Sequence, residues 1–129
     1  VACRADEPDP SAGYDLVRSA APAAQLGHPL SVSLSIVPRD GNHLLKDGPV
    51  LVRPSGDGAR PARALYHRED AVDPRADVPR FELAFVPERS GEVHLTADCT
   101  FYLCRPDARC RPIHTTAAWT ASVTAPPRP

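Results

Sequence analysis

Between Val93 and Leu103 every second residue is apolar: Val93, Leu95, Ala97, Cys99, Phe101 and Leu103 alternate with His94, Thr96, Asp98, Thr100 and Tyr102. A period of two is the mark of a strand with one face in a core and the other in water. A second alternating run spans Thr115 to Val123, with Ala117, Trp119, Ala121 and Val123 on one face. Between the runs lies Cys104-Arg105-Pro106-Asp107-Ala108-Arg109-Cys110, in which Pro106-Asp107 supplies turn chemistry. The two strands are therefore expected to form a hairpin whose flanking cysteines face one another at a distance that a disulfide tolerates. By parity Cys104 points away from the core that Cys99 enters, so it is expected to be accessible where Cys99 is not.

Shorter strands precede this hairpin. Leu30, Val32, Leu34 and Ile36 alternate with Ser31, Ser33 and Ser35, and Phe81, Leu83 and Phe85 alternate again. His43-Leu44-Leu45 and Val50-Leu51-Val52 are two further candidates, with turns over Pro38–Asn42 and Asp47-Gly48-Pro49. Residues 54–64 read as a mobile turn, and residues 65–80 as a loop or a loop with a short strand. Sixteen prolines in 129 residues argue against a helical bundle, because proline removes a helix hydrogen bond and clashes with the preceding turn. The pattern predicts one all-β domain, an antiparallel sandwich over residues 28–124. Residues 1–27, with Pro8, Pro10 and Pro22 and little periodicity, read as an arm or tether, and residues 125–129 as a frayed tail.

Net charge is −1 with acids and bases interspersed, so no basic stripe is available for nucleic acid. The apolar runs are too short to span a bilayer. Four cysteines in a short chain, three of them clustered, point to an oxidising compartment, hence a periplasmic or secreted protein. Methionine is absent even at position 1, which reads as a trimmed or mature form. Cys99, on the core face, is either a small buried hydrophobe or the partner of Cys3 in a second, structural disulfide that pins the arm to the sheet. Alternatively, Val1-Ala2-Cys3 ends a lipobox and Cys3 carries a lipid anchor. The close spacings C-x4-C and C-x5-C lack the two paired clusters that a structural zinc site wants, and His28, His43, His67, His94 and His114 follow no ligand spacing. No metal and no cofactor are expected. Glu69, Asp70, Asp73 and Asp77 read as a solvated acidic loop, and no hydrolase or phosphate-binding motif stands out.

The motif Cys104-x5-Cys110-x-Pro112 resembles the active hairpin of the periplasmic N-terminal domain of the transmembrane thiol:disulfide reductase DsbD. Ser35–Val52, with Asp40-Gly41-Asn42-His43-Leu44 before Pro49-Val50, resembles that family's strand–turn–strand segment. Phe101-Tyr102-Leu103-Cys104-Arg105, followed by Cys110 and Trp119, also resembles the C-terminal β domain of NHL-repeat thioredoxin-like proteins. The resemblance covers roughly residues 28–124. It implies an immunoglobulin-like sandwich, a redox pair in Cys104 and Cys110, and a thioredoxin-like oxidoreductase as partner. Within it Cys110 matches the cysteine that exchanges with the partner, Cys104 its resolving mate. The family's cap loop over the disulfide has its nearest counterpart in Leu65-Tyr66-His67.

Arg105, Arg109 and Arg111 surround the pair and either lower a thiol pKa or solvate the tip of a permanent staple. His114 is the one histidine close enough in sequence to tune it. Three functions follow from these readings: an accessory or interaction domain of the bacterial cell envelope that binds a protein partner, a thiol–disulfide relay domain, and a periplasmic metal-binding module.

Overall fold

The structure, a computed structural model, describes residues 13–107 and 109–125. Ten strands carry the chain: β1 (Tyr14–Arg18), β2 (Ala24–Gln25), β3 (Leu30–Pro38), β4 (His43–Leu44), β5 (Val50–Asp57), β6 (Ala59–Pro61), β7 (Tyr66–His67), β8 (Arg80–Pro87), β9 (Gly91–Cys104) and β10 (Cys110–Thr124). A 3₁₀ turn covers Arg68–Asp70.

The strands form two sheets, one in the order β1-β3-β8-β6 and the other β2-β10-β9-β5-β7, with β4 added to β9. This is the immunoglobulin-like arrangement, in which each sheet draws strands from both halves of the chain. One pairing departs from the antiparallel expectation: β2 runs parallel to β10, at Val123↔Ala24 and Thr124↔Gln25. The inward residues are those that the alternation picked out. Leu34, Ile36, Phe81, Leu83, Phe85, Val93, Leu95, Ala97, Cys99, Phe101 and Leu103 are completely buried between the sheets. Burying such side chains is the main favourable term in folding, at about 1.5–3 kcal/mol each.

Two segments differ from their sequence reading. Residues 14–25, expected in an arm, supply β1 and β2, one to each sheet. Their apolar residues, Tyr14, Leu16, Ala21 and Ala24, are half-buried edge contacts with too little periodicity to stand out. Residues 54–57, read as part of a turn, extend β5, and Gly58 (φ +85°) then swings the chain into the opposite sheet as β6. Pro54 is tolerated within β5 because its position, opposite Ala97, falls on the flank turned away from β9, where no N–H is needed.

The turn between β3 and β4 fixes the end of the molecule that carries the cysteines. Asp40 (φ +58°) and Gly41 (φ +78°) both take left-handed backbone, and the Asn42 N–H donates to the Arg39 carbonyl at 3.0 Å. Two consecutive positive φ values define a type I′ turn, for which Asp-Gly is well suited.

Candidate functional site

Cys104 ends β9 and Cys110 begins β10, directly opposite in the register. Their sulfurs are bonded (S–S 2.07 Å), with the Cα atoms 3.9 Å apart. The Arg105 N–H donates to the Arg109 carbonyl at 2.7 Å, so the hydrogen-bonded rung lies one residue beyond the cysteines. Rungs alternate in an antiparallel ladder, which places Cys104 and Cys110 at a narrow, non-hydrogen-bonded rung. The hairpin disulfide expected from the sequence is present.

The two sulfurs differ in environment. Cys104 is 1% exposed, whereas Cys110 lies at the surface. The expectation of an accessible Cys104 is therefore corrected. Its face was assigned properly, but β4 lies alongside the end of β9 with His43 opposite Cys104. The β3–β4 turn also abuts the hairpin: a β-carbon on Gly41 would come within 3.0 Å of Pro106 Cγ. Cys104 is thus enclosed by a strand on each side and a turn at its end. Of the two cysteines, Cys110 is the exposed residue.

His43 is the residue that sequence reasoning overlooked. Opposite residues of an antiparallel pair project from the same face, so the His43 ring shares a row with Cys104 and Cys110. Nothing local in the sequence marks this, because the pairing joins segments some sixty residues apart. His114 lies elsewhere: it is opposite Thr100, four rungs from the cysteines, and its Nδ1 is 3.1 Å from Thr100 Oγ1. Leu65-Tyr66-His67 does not cover the disulfide either. Tyr66 and His67 form β7 on the far flank of β5, against Val52 and Leu51. Arg109 leans towards Asp107 (3.8 Å), which also accepts from the Arg109 N–H at 3.1 Å.

Cys99 carries a free thiol, completely buried. Cys3 lies outside the described residues. Burial pushes the Cys99 thiol up to about 12, and the neighbouring Asp98 carboxylate adds to the effect. At neutral pH this sulfur is a protonated core atom, and reactivity requires the thiolate.

Beyond the disulfide, β5, β9 and β10 present an outward face of short polar side chains held by cross-strand bonds. Ser55 Oγ lies 2.6 Å from Thr96 Oγ1, and Thr116 Oγ1 donates to Asp98 Oδ1 at 2.8 Å. A groove of about 690 Å³ opens at the other flank, between the β4–β5 turn and the 3₁₀ turn. Arg68 crosses it, donating to the carbonyls of Leu45 (3.1 Å) and Gly48 (3.4 Å). In the acidic loop Asp70 accepts from the His67 N–H at 2.8 Å and pairs with Arg63 at 2.9 Å. The backbone bond from His67 is the main cause that holds the Asp70 carboxyl below the usual range, with Arg63 adding to it against a smaller opposing effect of desolvation. Among the described residues no three His, Cys, Asp or Glu side chains gather as a metal site, and no helix is long and apolar enough to cross a membrane.

Fold and site together define an immunoglobulin-like β-sandwich with a disulfide across its C-terminal hairpin. No protein-family model and no curated protein sequence matches the chain. Among solved structures it is similar to a cohesin module from a family 33 glycoside hydrolase of Clostridium perfringens. The two share 8% identity with a TM-score of 0.47, over 88% of this chain and 98% of that one. At that distance no residue or partner carries over.

Proposed function

We propose that the chain is an exported β-sandwich domain of the bacterial cell envelope, that it binds a protein partner, and that Cys104–Cys110 is its permanent staple. The observation that carries this reading is the disulfide, with one sulfur sealed inside the fold. Disulfides form and persist outside the reducing cytosol. A buried sulfur makes a poor leaving group, because a thiolate released there loses its hydration. The rigid, outward-facing sheet of β5, β9 and β10 supports a binding role, since fixed strands position side chains better than loops do. The resemblance of Cys104-x5-Cys110-x-Pro112 to the DsbD hairpin supports the same compartment. Acid-trapping of thiols in fractionated cells tests the reading. The expected result is protein in the envelope or medium with Cys104–Cys110 oxidised. A cytosolic protein with both thiols reduced overturns it.

The exposure of Cys110 favours one second reading, thiol–disulfide exchange with a dithiol partner. A partner thiolate attacks Cys110 Sγ, the Cys104–Cys110 bond breaks, and its electron pair leaves on Cys104 Sγ. The partner's second thiolate then attacks its own sulfur in the mixed disulfide and releases Cys110. The pair ends reduced, the partner oxidised, and the partner's two thiol protons pass to Cys104 and Cys110. His43, beside Cys104 in the same row, is the residue placed to stabilise the leaving thiolate.

A further inference from the structure

The groove between the β4–β5 turn and the 3₁₀ turn has walls that hold each other. On one side the Gly48 N–H donates to the Leu45 carbonyl at 3.0 Å and closes the turn. On the other the Ala71 N–H donates to the Arg68 carbonyl at 3.1 Å, and Asp70 accepts from the His67 N–H at 2.8 Å. Arg68 Nη1 then reaches across to the carbonyls of Leu45 and Gly48. The cavity of about 690 Å³ is thus built into the fold, and its size suits a small organic ligand.

The lining residues select the charge of that ligand. Lys46, Arg68 and Arg75 bring three positive charges, against two negative ones from Asp47 and Glu69. One positive charge is left over, which a single negative charge on a ligand balances. His67 also lines the groove, and any protonation of its ring strengthens the same preference. A dianion exceeds the surplus, and a cation is repelled by it.

Arg68 selects the kind of anion. Its two carbonyl bonds both use Nη1, which leaves the Nη2 and Nε N–H groups as donors. A carbonyl fixes the guanidinium without neutralising it. The planar fork so presented matches a carboxylate, which accepts two parallel N–H bonds. Pro49, Leu51 and Pro74 supply the apolar part of the lining, so the body of the ligand is hydrocarbon.

We propose that this groove binds a small monocarboxylate with an apolar body, of which a medium-chain fatty acid is the simplest form. The site is separate from the disulfide, and it does not rest on the compartment or on a protein partner.

Amide shifts of the isotopically labelled full chain, followed while sodium octanoate is added, test the proposal, with octanol and octylammonium as controls. Octanoate is expected to shift the amides of Gly48, Leu51, Arg68 and Glu69 along a saturable curve. Octanol, of equal length but uncharged, should bind about tenfold more weakly, and octylammonium more weakly still. Arg68→Gln should weaken octanoate about tenfold and octanol far less. Because Arg68 also ties the walls together, Lys46→Gln with Arg75→Gln gives a variant in which those bonds stay in place. It should weaken octanoate about threefold. Octanol that binds as tightly as octanoate, or octylammonium that binds more tightly, overturns the anion site. So do shifts that never saturate or that gather elsewhere, and so does the double variant if it binds octanoate like the wild type.

Discussion

Cys104 and Cys110 share one bond across opposed strands but not one environment: the first is enclosed by β4, β10 and the β3–β4 turn, and the second faces solvent. The asymmetry comes from chain topology rather than from the cysteines' own neighbours. A strand distant in sequence covers one sulfur and leaves the other open. The reactivity of the pair, its stability and its role all depend on this arrangement.

Single-cysteine variants should expose the asymmetry directly. With Cys104→Ser, the remaining Cys110 thiol should alkylate at nearly the rate of a free peptide thiol. With Cys110→Ser, Cys104 should react at least about tenfold more slowly, since access and thiolate content both fall on burial. Timed iodoacetamide labelling with mass readout measures both rates, and equal rates would contradict the enclosure.

Removal of both sulfurs, as Cys104→Ala with Cys110→Ala, should lower stability by about 2 kcal/mol, the loop-entropy value for so short a closure. Thermal unfolding should shift down by roughly 5–10 °C with the strand content preserved. Circular dichroism checks both quantities.

Cys99 couples stability to alkaline pH. Its folded value of about 12 lies above the ordinary thiol value of 9.0, so the folded state keeps its proton while the unfolded chain loses it. Stability is therefore unaffected below about pH 9 and falls as pH rises towards 12, by up to about 4 kcal/mol from this group. Cys99→Ala should be less stable at neutral pH yet show a shallower alkaline decline in urea titrations.

Trp119, the one tryptophan, is 7% exposed and donates Nε1–H to the Ser19 carbonyl at 3.0 Å. Trp119→Phe should cost about 1–2 kcal/mol for the lost bond and volume, and Trp119→Ala about 3–5 kcal/mol. Urea unfolding of both variants gives the comparison. Because Ser19 follows β1, unfolding of the 14–25 region alone should shift the wild-type tryptophan fluorescence.

Asp70 ties the segment after β7 through the His67 N–H and Arg63. Its carboxyl is held below the usual range, so its contribution is present at neutral pH and is lost as pH falls through the folded value. Asp70→Asn should remove that acid dependence and raise amide exchange at His67, while leaving the hairpin unchanged.

The strands that pack on both sides of the core were legible because burial imposes a period of two: Leu30–Ile36, Phe81–Phe85 and Val93–Leu103 show it without interruption. The edges were not. Tyr14–Arg18 and Ala24–Gln25 bury little, so selection for alternation is weak there, and prolines and alanines around them mask the rest. Pro54 reads locally as a break and is harmless because β7, on the flank it faces, pairs only with Leu51 and Val52 and does not reach it. Pro112 sits on β10 by the same logic. The disulfide followed from cysteine parity and turn residues, which are local. The burial of Cys104 and the placement of His43 depend on β4 meeting β9, and no local pattern encodes that meeting.

The most direct test of the staple is the midpoint potential of Cys104–Cys110, measured by thiol trapping across graded dithiol redox buffers with Cys99 replaced by Ala. A sealed structural bond should remain oxidised down to below about −300 mV. A midpoint near about −200 mV, within reach of the exchange proteins of an oxidising compartment, would contradict the staple and favour electron transfer through Cys110.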